Sequence, residues 1–235
     1  MGIFNQRSDK KEIMDDLSSS GEVIDQTLKE LQKINYWLGG DNVTIRGLKK
    51  LLKRVDKLQE VTIADIGCGG GDTLKLVFQW AQKHGLNVKL YGVDANHDII
   101  RYAKANTADM PQIEYICADI FSEEFRQRKF DIIMSTLFCH HFNDKQLVSM
   151  LRQLGSQSRL GLLINDLHRH WFAYHSINVL TSVLSRSPMV RHDAGVSVLR
   201  AFRKNELSSI IHAAGYKDFS ISWKWAFRYE VVVPM

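Results

Sequence analysis

The spacing of apolar positions changes character near residue 61. Before it, Ile13, Met14, Leu17, Val23, Ile24, Leu28, Leu31, Ile34 and Leu38 recur at helical steps, and Gly39 with Gly40 reads as a stop. A second helix is predicted over 44–58, with Leu48, Leu51, Leu52 and Val55 on one face and Arg46, Lys49, Lys50, Lys53, Arg54 and Lys57 on the other. Beyond residue 61 the pattern becomes short apolar runs at 61–66, 88–93, 113–117, 130–135 and 160–164. Each is rich in Val, Ile and Leu and too short for a helix, as expected of strands buried on both faces of a parallel sheet. Predicted helices over 72–84, 97–108 and 144–157 separate most of them.

The repeated order strand, helix, strand predicts a doubly wound α/β sheet. After the fifth run an amphipathic helix is predicted over 170–186, ended by Ser187 and Pro188; a loop follows, then a helix over 204–214 closed by Gly215. The runs 219–223 and 227–233 predict an antiparallel hairpin at the sheet edge, which makes seven strands, mostly parallel. Residues 1–58 are expected to form an N-terminal helical lid, with Trp37 and Leu38 beside the hinge-like Gly39 and Gly40. Residues 59–235 form the sheet domain, with a helical insertion at 167–203.

Composition narrows the class. A chain of 235 residues with 45% hydrophobic and 24% charged residues can bury a full core, which excludes a disordered, collagenous or coiled-coil protein. No run reaches the roughly 20 apolar residues of a membrane-spanning helix. The first 20 residues lack an apolar leader core, so a cytoplasmic location is expected. Cys68, Cys117 and Cys139 have no paired spacing, which fits reduced thiols and not a disulfide frame or a zinc site. The net charge of +5 is concentrated in residues 136–235, with 12 basic against 6 acidic side chains. Such a surplus could attract an anionic substrate, nucleic acid or an acidic membrane surface, or could simply be a solvated surface.

The strongest local signal is Asp65-Ile66-Gly67-Cys68-Gly69-Gly70-Gly71-Asp72, set between a buried strand and a helix. Glycines there allow a tight turn and close approach to a ligand at the carboxyl edge of the sheet. A dinucleotide fingerprint needs a third Gly where this chain has Asp72, and Asp65 and Asp72 would repel a pyrophosphate. The run resembles the first motif of class I S-adenosylmethionine-dependent methyltransferases. The resemblance extends over residues 61–166, through Asp94 at the second strand end, Cys117-Ala118-Asp119-Ile120, and Phe130-Asp131 to His141.

That resemblance implies a Rossmann-like methyltransferase fold, S-adenosylmethionine as cofactor and S-adenosylhomocysteine as product. It places the methionine portion over the turn Gly67, Cys68, Gly69 and Gly71, with Asp65 near its amino group and Asp94 with Ala95 at the ribose hydroxyls. Asp94 could instead cap the following helix. Asp119 with Ile120 matches the adenine-side motif, and Ser135 opens the segment that borders the transferred methyl group. A base is needed there when the nucleophile is a hydroxyl; His140 is the expected proton acceptor, with His141 packing beside it and Asp166 after the fifth strand in the same group. No metal is expected from His168, His170 and Asp166, because magnesium sites are dominated by carboxylates.

Outside the core, Tyr36-Trp37-Leu38-Gly39-Gly40, Leu163 to Arg169, Val190 to Asp193 and Ser197 to Phe202 are similar to bacterial methyltransferases of the quinone-biosynthesis type. This implies a small aromatic acceptor: a phenol, quinol or aromatic polyketide. Trp37, Arg169, Trp171 and Tyr174 are the expected substrate-side residues, although the apolar stripe that follows Trp171 could equally be core. A lipophilic acceptor would bring transient contact with a membrane surface. A nucleic-acid methyltransferase is the first competitor, but Ser135-Thr136-Leu137-Phe138 stands where amino-methylating enzymes of that kind carry Asn or Asp before Pro-Pro. A non-catalytic cofactor-binding subunit is the second.

Overall fold

The computed structural model describes residues 2–17, 20–56 and 58–235. The doubly wound sheet is present. Its strands are β1 (Val61–Ile66), β2 (Val88–Asp94), β3 (Ile113–Cys117), β4 (Phe130–Thr136), β5 (Ser158–Leu167), β6 (Ser220–Lys224) and β7 (Arg228–Pro234), in the order β3-β2-β1-β4-β5-β7-β6. The first five are mutually parallel, and β7 runs antiparallel to both β5 and β6. The last strand is therefore inserted beside β5, and β6 forms the edge.

Strand order reverses between β1 and β4, and it is outside the carboxyl ends of strands at such a switch point that open α/β sheets bind ligands. Both faces are buried, as the continuous apolar runs predict. Ile133, Leu162, Ile164 and Val231 enter one core, while Ile132, Leu163 and Val232 enter the other. The period-2 alternation of a strand divides them.

Helices α1 (Glu22–Trp37), α2 (Gly40–Leu51), α3 (Asp72–Lys83), α4 (His97–Asn106) and α6 (Asp144–Gln157) overlap the predicted segments, and a short α5 (Glu123–Arg126) that was not predicted lies between β3 and β4. Ile13–Asp15 is a separate 3₁₀ turn, and α2 starts at Gly40, ending in a further 3₁₀ turn, Leu52–Arg54. Leu48 is fully buried, and Gly47 lies so close to Leu163 that an added Cβ would overlap it. Helix α2 thus belongs to the layer packed on the sheet. Arg46, Lys49, Lys50 and Lys53 face solvent, as predicted; Lys57 lies outside the described residues.

The main correction concerns residues 188–200. A loop was expected, and the chain instead forms α7 (Trp171–Leu184) followed by α8 (Pro188–Arg200), then α9 (Lys204–Ala213). The Ser187 side chain accepts the Val190 N–H and Pro188 occupies the first turn, an N-terminal signature that reads equally as a stop for the preceding helix. Met189, Val190, Val196, Val198 and Leu199 are all buried, so α8 lacks the apolar stripe by which an amphipathic helix is recognised. Among the described residues no helix is long and apolar enough to cross a membrane.

Candidate active site

A cavity of about 1290 Å³ opens at the switch point. Its floor is the turn after β1. Gly67 and Gly69 have φ of 68° and 51°, and a Cβ on Gly67 would come within 2.2 Å of the Phe138 ring, so this turn demands glycine. At Gly69 the nearest atom to an added Cβ is 3.9 Å away, which leaves that backbone open to a ligand.

Two carboxylates stand over the turn. Asp65 is 1% exposed and its Oδ1 has no hydrogen-bond partner; burial, and then the neighbouring Asp94, push its carboxyl well above the usual range. Asp94 accepts the N–H of Asn96 at 3.0 Å and of Gly69 at 3.4 Å, and burial raises its pKa as well. Asn96, and not Asp94, caps α4, accepting from Asp98 and Ile99. Farther along, Ala95, Asp119 and Ile120 line the cavity, and Asp119 Oδ1 accepts the Phe121 N–H at 2.9 Å. Leu137, after β4, holds a left-handed φ of 54°, a strained conformation for a leucine beside the cavity.

The opposite wall joins the β4 loop to the N-terminal strap, residues 6–17, below α1. His140 is 3% exposed. Its Nδ1 lies 2.7 Å from Asp166 Oδ1 and its Nε2 lies 3.4 Å from Glu12 Oε1. Burial would lower the imidazole pKa, but Asp166 and then Glu12 outweigh it and raise it to about 10. The same contacts hold both carboxyls below their ordinary values against the opposing effect of burial. His141 is more open, with 21% of its side chain exposed, and its Nδ1 is 2.5 Å from Asp15 Oδ1. Arg200 braces the group. It donates to Asp15 Oδ2 at 2.5 Å and to the carbonyls of His140 and His141 at 3.1 and 2.5 Å. Phe138 and Phe142 meet edge to face at 5.0 Å beside His141.

The structure brings together Asp65, Gly67, Cys68, Gly69, Asp94, Ala95, Asp119, Ile120, His140 and His141 on one cavity, with Asp166 behind His140. It does not bring in the other expected residues. Gly71 and Ser135 lie outside the lining: Gly71 supplies a turn with φ of 79°, and Ser135 is buried against Cys139. Trp37 is exposed at the end of α1. Arg169 is 1% exposed and clamps α9 to the N-terminus, through Glu206 and the Phe4 carbonyl. Trp171 lines a separate recess of about 300 Å³, and Tyr174 packs edge-on against Phe4. The wall facing the glycine turn is formed instead around His140 and His141 by Glu12, Asp15 and Arg200, which come from segments remote in sequence. The only local signal was an acidic pair in a charged N-terminal stretch.

Residues 63–159 match the methyltransferase domain family. Trans-aconitate 2-methyltransferase of Azoarcus sp. (strain BH72) is 34% identical over 76 residues, which is 32% of this chain and 27% of that protein. The chain thus spans about a quarter of the curated relative it matches. Among solved structures, the plantazolicin methyltransferase BpumL in complex with SAH superposes with a TM-score of 0.65 at 16% identity, covering 88% of each chain. Human N-acetylserotonin methyltransferase in complex with SAM gives 0.64 at 16%, covering 92% of this chain and 56% of that one. The fold is shared with these methyltransferases.

Proposed function

We propose that this chain, in which residues 63–159 form a class I methyltransferase domain, transfers the methyl group of S-adenosylmethionine to the hydroxyl of a small aromatic acceptor. The observation that carries the reading is the pairing, across one cavity, of an open glycine turn under two raised carboxyls with an imidazole wall. The residues fit the cofactor. Asp65, buried with an unused acceptor oxygen, suits an ammonium group; the Gly67–Gly70 backbone suits the methionine chain; Asp94 suits vicinal hydroxyls; and Asp119 with Ile120 and Phe121 suits an adenine. When bound, this cofactor supplies a methyl carbon already activated by its sulfonium. The protein then has to align the acceptor, exclude water and take a proton.

For the proton, His141 is better placed than His140. His140 is enclosed between Asp166 and Glu12, whose charges favour its protonated form when nothing else binds it, whereas His141 is the more exposed of the two and is oriented by Asp15. His140 then offers fixed positive charge to a developing phenolate, the role of a preorganised electrostatic group. Phe138 and Phe142 provide aromatic faces for a planar acceptor.

The same wall argues against an anionic acceptor. Asp9, Glu12, Asp15 and Asp144 line it against a single lysine among the described residues, Lys11, while Arg7 and Arg200 are committed to carboxylates and backbone carbonyls. A tricarboxylate or a nucleic-acid strand would meet like charge there. The three cysteines are free thiols, which suits a reducing compartment such as the cytoplasm.

The test is incubation of the full chain with methyl-labelled cofactor and a panel of phenols, quinols, carboxylic acids and RNA. Label in a phenol or quinol, with stoichiometric S-adenosylhomocysteine, is the expected result. Transfer to RNA or to a carboxylate refutes the acceptor assignment, and cofactor binding without transfer to any class leaves a non-catalytic subunit.

A further inference from the structure

We infer that Glu12, His140 and His141 form a binding site for one divalent transition-metal ion, with an open coordination position facing the cavity. Among the described residues these three offer ligand atoms that all lie within 4.8 Å of one another. The separations suit a common ion. Glu12 Oε1 is 3.4 Å from His140 Nε2, and Glu12 Oε2 is 4.0 Å from His141 Nε2. Two ligands bound at about 2.0–2.2 Å and disposed tetrahedrally stand about 3.4 Å apart. One contact has that spacing already, and the other, to the second oxygen of the same carboxylate, is about 0.6 Å wider, which a rotation of the Glu12 carboxylate or of the more open His141 ring can close.

The second shell points the same way. Each imidazole presents its Nδ1 to its own carboxylate, His140 to Asp166 at 2.7 Å and His141 to Asp15 at 2.5 Å. That arrangement fixes the ring so that Nε2 is the free donor, and it recurs around histidines that bind metal. The rings lie 4.4 Å apart and only 31° from parallel, and both Nε2 atoms approach Glu12. With neutral imidazoles, Glu12, Asp15 and Asp166 carry three negative charges against the one of Arg200. The remainder of two is what a dication cancels.

Two imidazoles and one carboxylate select zinc and its first-row neighbours over magnesium or calcium, which prefer an all-oxygen shell. All three ligands line the cavity, so the fourth position is accessible to water or to an acceptor hydroxyl. An ion there would acidify that hydroxyl as a Lewis acid, taking over the task given above to His141. His168 and His170 form no such site. His168 has Arg169 and Arg203 for charged neighbours, and its Nδ1 accepts from the indole of Trp223.

The site can be tested without reference to catalysis. The full chain, stripped by chelation, is titrated calorimetrically with Zn²⁺, and with Co²⁺ followed by its visible ligand-field bands. One ion per chain with bands of low coordination number is expected. Glu12→Gln and His141→Ala should each weaken binding by roughly 100-fold or more, and Asp15→Asn by about 10- to 100-fold. His168→Ala and Cys117→Ser should bind as the parent does, and circular dichroism confirms that each variant is folded. Absence of binding in the parent overturns the site, as does unchanged affinity in folded Glu12→Gln and His141→Ala. Methyl transfer by the stripped protein together with no ion binding would remove the metal site alone; ion binding without transfer would remove the function alone.

Discussion

Asp65 stands at a point where stability and ligand binding should oppose each other. It is 1% exposed, lacks a partner at Oδ1 and sits beside a second carboxyl, Asp94. A buried polar group left unsatisfied costs about 1–3 kcal/mol, more when charged. Replacing it with the isosteric, uncharged Asn should therefore stabilise the unliganded chain by about 1–3 kcal/mol near pH 7.5. For a chain of this length that raises Tm by roughly 2–12 °C. The pH dependence fixes the cause. An acid whose pKa is raised on folding keeps its proton longer in the native state, so native stability falls as pH rises from the unfolded value of about 3.8 towards the folded one. The gain from Asp65→Asn should vanish near pH 4 and grow with pH by at most about 1.4 kcal/mol per unit. Differential scanning calorimetry at several pH values measures this. The same variant should lose most of the thermal shift that S-adenosylmethionine gives the parent, because ligand stabilisation follows affinity. A less stable Asn variant, a gain independent of pH, or an undiminished ligand shift would refute the reasoning.

Asp94→Ala should weaken cofactor binding by about 1.5–3 kcal/mol in calorimetry, the scale for losing a charged hydrogen-bond partner. His141→Ala should lower turnover by roughly 10²- to 10⁴-fold while cofactor affinity, measured separately, stays within a factor of a few. His140→Ala should instead cost about 3–5 kcal/mol in denaturant unfolding, because it strands the buried Asp166 and Glu12 without their partner. Deleting residues 2–20 should leave a cooperatively folded chain without turnover. Deletion through residue 45 removes the buried Val43 and Thr44 of α2 and should abolish folding, which circular dichroism distinguishes.

How much could be read from sequence depended on whether a feature was local. Strands buried on both faces become apolar runs whatever surrounds them, so β1 to β5 were legible, and the cofactor side followed because its residues lie in the loops directly after those strands. Helix α8 was hidden for the opposite reason. It is buried nearly all round, with Asp193 and Arg200 buried alongside its apolar residues, and polar and apolar positions mixed in this way give no 3.6-residue stripe. Arg169 and Trp171 follow the carboxyl end of β5, where substrate residues are expected. Arg169 instead turns inward to Glu206, a contact 37 positions away that no spacing rule reports. Glu12 looks like one more charge in a solvated tail until the fold lays the strap over His140, 128 positions on.

That strap is held by α8, and this explains why an inserted helix belongs to the site at all. Asp193 and Arg200 are seven residues apart, two helical turns, and so project from one face. Asp193 accepts the backbone N–H groups of Ile13 and Met14 at 2.8 and 3.0 Å, while Arg200 spans from Asp15 on the strap to the carbonyls of both histidines. One helix thus fixes the strap and the β4 loop against each other. Arg7 makes the complementary tie, from the strap to the Phe142 and Arg200 carbonyls and to Asp144. Asp166 reaches His140 from β5, but Glu12 and Asp15, the carboxylates facing His140 Nε2 and His141, arrive on a segment that α8 must first dock. The carboxyl ends of β1 to β3 supply the glycine turn, Asp94 and Asp119, with Leu28 of α1 over Gly69 and the Leu17 carbonyl bonded to Asn96, whereas the wall around the two histidines exists only when strap, β4 loop and α8 are assembled together.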